Sequence, residues 1–201
     1  MKKIIVLIFY FCILVSAQNF KLGGSFDFML GNKNLAIEVG PAINLEYLLD
    51  VIPISINGCV RLHYSELNDN TYKFSWGYTY STYSIGTIIK YYPITWDIEP
   101  YIALGLFYNF NNAKASEMAS PFINGYTVGQ KIVEHNFSTE LTGGLILTAK
   151  TPINLFVEVT QSFNKPDYDL ILLDSDNNKT TRKEKFNFNA LFIKLGVRFN
   201  I

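Results

Sequence analysis

His63 and Ser65 lie two residues apart, and Glu66 follows them. A serine, a histidine and a carboxylate are the side chains of hydrolytic acyl transfer, as in an enzyme acting on lipid, provided the three are oriented as a relay. In an extended chain His63 and Ser65 share a face, but no nucleophile motif surrounds Ser65. Filling that face is the expected role, and no catalytic residue is assigned. The sequence holds two histidines, and beyond residue 17 its single cysteine is Cys59. His135 stands apart, so a metal site has no ligand spacing behind it. Neither a glycine-rich phosphate loop nor a distinctive carboxylate pair is present. We expect a protein that is not an enzyme and takes no cofactor or metal.

A larger set of charges fits a different chemistry. Lys21, Asp27, Glu38, Glu46, Arg61, His63, Lys90, Glu140, Glu158, Lys194 and Arg198 sit on the polar side of alternating segments, with both signs represented. Charges gathered on an enclosed face persist only when paired and hydrogen-bonded. The set therefore reads as a structural ion-pair network filling an interior. The alternative is a narrow polar channel.

The elements that position these charges are strands. Phe137 to Phe163 reads as a hairpin: Phe137, Thr139, Leu141, Gly143, Leu145 and Leu147 alternate with Ser138, Glu140, Thr142 and Gly144, and Ile153, Leu155, Val157 and Val159 alternate with Asn154, Glu158 and Thr160. A period of two is the strand signature, and each arm reaches the roughly 9–11 residues a bilayer-spanning strand needs. The same pattern recurs over Phe20–Leu30, Leu35–Tyr47, Ile54–Tyr64, Tyr83–Tyr91, Tyr101–Phe110 and Phe186–Ile201, making eight strands. Short turns at Leu49–Pro53, Pro93–Pro100 and Ala149–Pro152 alternate with long connections at 66–79, 111–135 and 164–186; the first loop, Gly31–Asn34, is short. The run DSDNNKTTRKEK in the last connection reads as solvated loop.

Composition agrees with this layout. The chain has 201 residues, zero formal net charge, 15% aromatics and 17% charged residues, against roughly 25% charged in an ordinary soluble domain. A neutral balance argues against a nucleic-acid binder, which would favour a basic patch. Residues 1–17 read as a secretory signal peptide: Lys2 and Lys3, an apolar run from Ile4 to Val15, then Val15-Ser16-Ala17 before cleavage. Residues 18–201 form the single domain. No later apolar run reaches the roughly 20 residues of a membrane helix.

Alternation alone leaves open which face is outside. A soluble lipocalin-like barrel would turn its apolar face inward around a ligand. Glycines on the polar face (Gly23, Gly40, Gly86, Gly105, Gly144, Gly196) suit a narrow interior instead. Aromatics gather near the strand ends, with Tyr47, Tyr91, Tyr92, Trp96 and Tyr101 towards the short turns and Trp76, Tyr78, Tyr80, Tyr108, Phe110 and Phe137 towards the long loops, as in two interfacial girdles.

The segments TELTGGL, TPINLFVEVTQSF, PYIALGLFY and the terminal NALFIKLGVRFNI resemble the small outer-membrane β-barrel family of OmpA-type and OmpX-type domains, over about residues 19–201. The resemblance implies an all-β, eight-stranded antiparallel up-and-down transmembrane barrel in a Gram-negative-type outer membrane. Its partners would be outer-membrane lipids and the assembly machinery that reads the C-terminal strand, although this strand ends in Ile201 rather than an aromatic. No peptidoglycan-binding domain follows, so a tethering role is not carried over. The expected role is structural or surface interaction by a monomer whose long loops meet an extracellular partner. A porin-like channel, a lipid-modifying enzyme and a periplasmic lipocalin-like binder are the alternatives.

Overall fold

The computed structural model describes residues 19–30, 35–49, 51–67, 78–94, 97–115, 122–123, 126–148, 152–185 and 187–200. The signal peptide reading, Trp76 and Trp96 lie outside them, as do the side chains of Glu38, Glu66 and Tyr78. Eight strands close into a barrel: β1 (Phe20–Met29), β2 (Leu35–Leu48), β3 (Ile54–Leu67), β4 (Tyr78–Tyr91), β5 (Ile98–Ala115), β8 (Asn136–Leu147), β9 (Ile153–Phe163) and β12 (Ala190–Asn200). Around the barrel the order is β1-β12-β9-β8-β5-β4-β3-β2, with every neighbouring pair antiparallel. The first and last strands seal it, in register from Lys21 opposite Asn200 to Met29 opposite Phe192. Closure pairs the edges that an open sheet would expose.

Alternation sorts the side chains as the period of two requires. Ile43, Ile102, Leu104 and Phe137, on three different strands, are each 60% exposed or more. Their neighbours Ala42, Tyr101, Ala103 and Ser138 are buried. The apolar faces thus point out, and the polar faces line the lumen.

The lumen also holds rings. Tyr101, Phe107 and Phe156 pack with Ile88, Ile146 and Tyr92 in one buried cluster. Space for these rings comes from glycine. Tyr101 stands directly opposite Gly144, and Phe156 directly opposite Gly196; a Cβ on either glycine would run into the facing ring. Eight strands leave an interior that side chains fill.

Three aromatics assigned to the interfacial girdles belong inside instead. Tyr80, Tyr92 and Tyr101 are buried, and each phenol hydroxyl donates to a lumenal acceptor. A phenol satisfies a buried carboxylate or amide as readily as it meets a headgroup. Tyr47 and Tyr91, with the edge-packed group Tyr108, Phe110 and Phe137, remain on the outer side.

The long connections are more regular than loops. Beside the barrel lies a second sheet, ordered β11-β10-β7-β6, made of β6 (Phe122–Ile123), β7 (Tyr126–Val133), β10 (Asp167–Leu173) and β11 (Lys179–Lys185). The KTTRKEK run is thus an edge strand. Its backbone pairs with β10 from Asp167–Lys185 to Leu173–Lys179, and its Lys-rich free side suits an edge that must not pair further. Charge hid a strand that only its cross-strand partner reveals.

Candidate functional site

Every sequence-selected charge whose side chain is described faces the lumen, because each has the parity of its strand's buried face. Strand pairing then gathers them into groups. At the centre, Asp27 of β1 is fully buried and receives a hydrogen bond from Ser25 at 3.0 Å. His63 Nε2 lies 3.2 Å from its Oδ2, and Arg61 and Lys194 stand at 3.8 and 3.9 Å. Arg61 Nη1 also donates to Glu140 at 2.5 Å, and Lys194 Nζ to the other Glu140 oxygen at 3.1 Å. Strands β1, β3, β8 and β12 are thereby tied across the lumen.

Two further groups lie nearer the short turns. Lys90 Nζ meets Glu158 at 3.3 Å, and Tyr101 donates to the same carboxylate oxygen. Glu46 accepts from Ser55 at 2.6 Å and from Tyr92, with Arg198 at 3.6 Å. Arg198 also reaches Glu99 at 3.3 Å. Lys21 is half-buried beside Tyr92 and Glu99, lining a cavity of about 250 Å³ at this end. Among the described residues, Lys21, Arg61, Lys90, Lys194 and Arg198 thus stand against Asp27, Glu46, Glu99, Glu140 and Glu158, cation for carboxylate.

That balance decides whether the network can exist. Removing an ion from water costs several kcal/mol even after relaxation, and only close opposite charges with further hydrogen bonds offset it. Here each carboxylate of the central group has two or more donors. The rings add to the cations: Phe107 lies 3.8 Å below the Arg61 guanidinium, and Tyr101 lies 4.6 Å from Lys90 Nζ.

Sequence reading missed Glu99, taken as part of a turn, although counting back from Ala103 and Tyr101 by twos leads to it. Phe107, Phe156 and Phe192 carried the same parity signal. Their size and apolarity did not suggest an interior read as polar.

The His63–Ser65 pair is buried on the lumenal face as expected, with the His63 ring stacked on Phe192 at 5.5 Å and its Nε2 turned to Asp27. Among the described residues no group of histidine, cysteine and carboxylate could hold a metal ion. Nearer the long connections the lumen is lined by uncharged polar groups: Ser84 donates to Asn109 at 2.7 Å, Asn109 to Ser138 at 2.9 Å, and Tyr80 to Asn111 at 2.6 Å. A cavity of about 20 Å³ remains there. Between the two cavities lie the ion pairs and the buried rings of Tyr101, Phe107 and Phe156.

No protein-family model matches the sequence, and comparison with curated proteins finds no match. Comparison of folds does. The outer membrane protein OprG from Pseudomonas aeruginosa superposes with a TM-score of 0.66 at 10% identity, covering 90% of this chain and 94% of that one. The outer membrane protein AlkL matches with a TM-score of 0.62 at 10% identity, covering 90% and 88%. A major outer membrane protein from Thermus thermophilus matches with a TM-score of 0.61 at 11% identity, covering 90% and 98%. Sequence likeness at this level carries the fold and nothing finer: the chain has the closed eight-stranded fold of the small outer-membrane barrels.

Proposed function

We propose that this protein is an integral outer-membrane barrel whose interior is a structural brace and whose working surface is the sheet built from its long connections. One observation carries the reading: the faces are inverted relative to a soluble protein. Large aliphatic and aromatic side chains cover the outside of the barrel, while cations and carboxylates pair within it. In water so continuous an apolar surface would aggregate; in a bilayer it is the solvated face. The outer-membrane proteins that share the fold support this location.

The remaining roles follow as proposals. Outer-membrane lipids are the partners of the outer face, and β12 is the segment offered to the assembly machinery. The β11-β10-β7-β6 sheet is the surface for an extracellular partner, since regular structure on a rigid scaffold suits recognition. The barrel is a monomer, because closure leaves no barrel edge to pair with a second copy. It is neither channel nor enzyme: ion pairs and rings fill the lumen, and His63 is engaged by Asp27 in the network.

Heat-modifiable mobility of the protein from washed outer membranes tests the location. A faster-migrating unboiled band is expected; a protein confined to the soluble periplasm would overturn it. Ion conductance of purified protein in planar bilayers would overturn the structural lumen. Binding to host or bacterial surfaces that survives replacement of the β10–β11 hairpin by a short turn would overturn the assigned surface.

A further inference from the structure

The short-turn mouth of the barrel holds two opposite charges that do not meet. Lys21 belongs to β1 and Glu99 to β5, and around the closed barrel these two strands stand on opposite walls. Both residues have lumenal parity, and both line the cavity of about 250 Å³ at this end. Arg198 is shared between Glu46 and Glu99, at 3.6 and 3.3 Å. The charges therefore balance in number while Lys21 is left over: among the described residues, no carboxylate lies within ion-pair distance of its Nζ. Glu99 meets Arg198 through one oxygen, Oε2.

An apolar wall completes the cavity. It comes from Leu49, Val51 and Ile52 of the β2–β3 turn and from Tyr92, whose hydroxyl is already given to Glu46. The turn is fastened at both ends. The Leu49 amide donates to the Ile54 carbonyl at 2.9 Å, and the Tyr92 amide donates to the Pro53 carbonyl at 2.9 Å. The wall is thus held in place against the end of β4. Ile52 and Pro53 are exposed, so the cavity opens outward at this mouth.

We propose that this mouth binds a small aliphatic zwitterion, an α-amino acid with a hydrocarbon side chain: its carboxylate meets Lys21, its ammonium meets Glu99, and its side chain lies on the turn. Charge selects the class. Lys21 and Arg198 balance Glu46 and Glu99, so a simple anion would reach Lys21 and leave the mouth with an uncompensated negative charge, and a simple cation would do the reverse. A zwitterion offers each wall the charge it lacks and keeps the mouth neutral. Charge-assisted hydrogen bonds at both ends fix its orientation, and its hydrocarbon arm covers apolar surface on the turn. The cavity of about 250 Å³ lies just under the roughly 300 Å³ at which ordinary small-ligand pockets begin, which limits the occupant to a small molecule. This site is at the end of the barrel away from the long connections and is separate from the surface assigned to them.

The Ile52 methyl group reports on the site. In isoleucine-labelled protein in lipid nanodiscs, with the signal assigned through Ile52→Val, L-leucine should shift the Ile52 methyl resonance saturably. Two analogues each lack one charge, 4-methylpentanoate the ammonium and 3-methylbutylamine the carboxylate; each should bind at least about tenfold more weakly, the effect of losing one charged hydrogen bond. Lys21→Gln and Glu99→Gln should each weaken leucine binding by about the same factor, with mobility of the unboiled protein confirming that the barrel is folded. Should either variant fail to fold, the analogues on the unaltered protein still decide the matter. No saturable shift with leucine would overturn the pocket. Either analogue binding as tightly as leucine would overturn the zwitterion, and leucine binding unchanged in both folded variants would overturn the roles of Lys21 and Glu99.

Discussion

Arg61 on β3 and Glu140 on β8 meet across the lumen, Nη1 to Oε1 at 2.5 Å, although 79 residues separate them in the chain. The contact joins opposite walls of the barrel, and Lys194 from β12 completes it on the second carboxylate oxygen. A barrel braced in this way depends on charge complementarity where a soluble domain depends on apolar packing.

Removal of one partner should therefore cost more than removal of both. Glu140→Gln leaves Arg61 and Lys194 buried without their common carboxylate, and we expect a loss of about 3–5 kcal/mol. The double variant Arg61→Met, Glu140→Leu should lose less than the sum of the two single changes. Guanidinium unfolding in lipid vesicles, followed by gel mobility, measures both. Additive losses would show that the two residues do not act as a pair.

The rings inside the barrel need their glycines. A methyl group on Gly144 meets the Tyr101 ring, so Gly144→Ala should destabilise the barrel by about 1–3 kcal/mol through overpacking. Adding Tyr101→Leu should recover part of that loss in the same unfolding assay. A neutral Gly144→Ala would mean that the ring moves aside without cost.

The two faces of β8 should respond oppositely to charge. Leu145 points outward and is 44% exposed, two residues from the end of β8; an arginine on a barrel's lipid face costs roughly 2–4 kcal/mol at the midplane and less towards the interfaces. Leu145→Arg should accumulate as the unfolded, slow-migrating band, whereas Leu145→Phe should assemble normally. Normal assembly of the arginine variant would contradict a lipid-facing position.

Outside the barrel, the tip of the β10–β11 hairpin carries a pH-sensitive fastening. Asp174 accepts from the Asp176 and Asn178 amides at 2.9 and 2.7 Å and from the Asn178 carboxamide at 2.9 Å. The Asn178 bonds hold its carboxyl below the ordinary carboxylate range. A lowered folded value means the fastening is fully present above the ordinary carboxylate pKa and is lost as pH falls through the lower folded one. Protection of the Asn178 amide, taken against its intrinsic exchange rate at each pH, should fall on acidification through that window, and Asp174→Asn should remove the dependence. In the same turn Asn177 adopts φ of 61°. Asn177→Gly should be tolerated there and Asn177→Val should loosen the tip, because a β-branched side chain strains the left-handed region; exchange at Asn178 reads this as well.

The period of two is a local property, so strand existence, strand parity and the eight-stranded plan were legible in the chain. Leu22, Phe26 and Phe28 against Lys21, Ser25 and Asp27 already separate two faces, since successive Cβ atoms point to opposite sides whatever surrounds them. Parity likewise placed the lumenal charges whose side chains are described. What parity cannot supply is a partner. That Arg61 meets Glu140 rather than Glu158, that Tyr92 and Tyr101 turn in to carboxylates rather than out to an interface, and that KTTRKEK pairs as a strand all depend on barrel closure and on register between distant segments. Register follows from hydrogen bonds and packing summed around the whole sheet, a quantity no single segment contains.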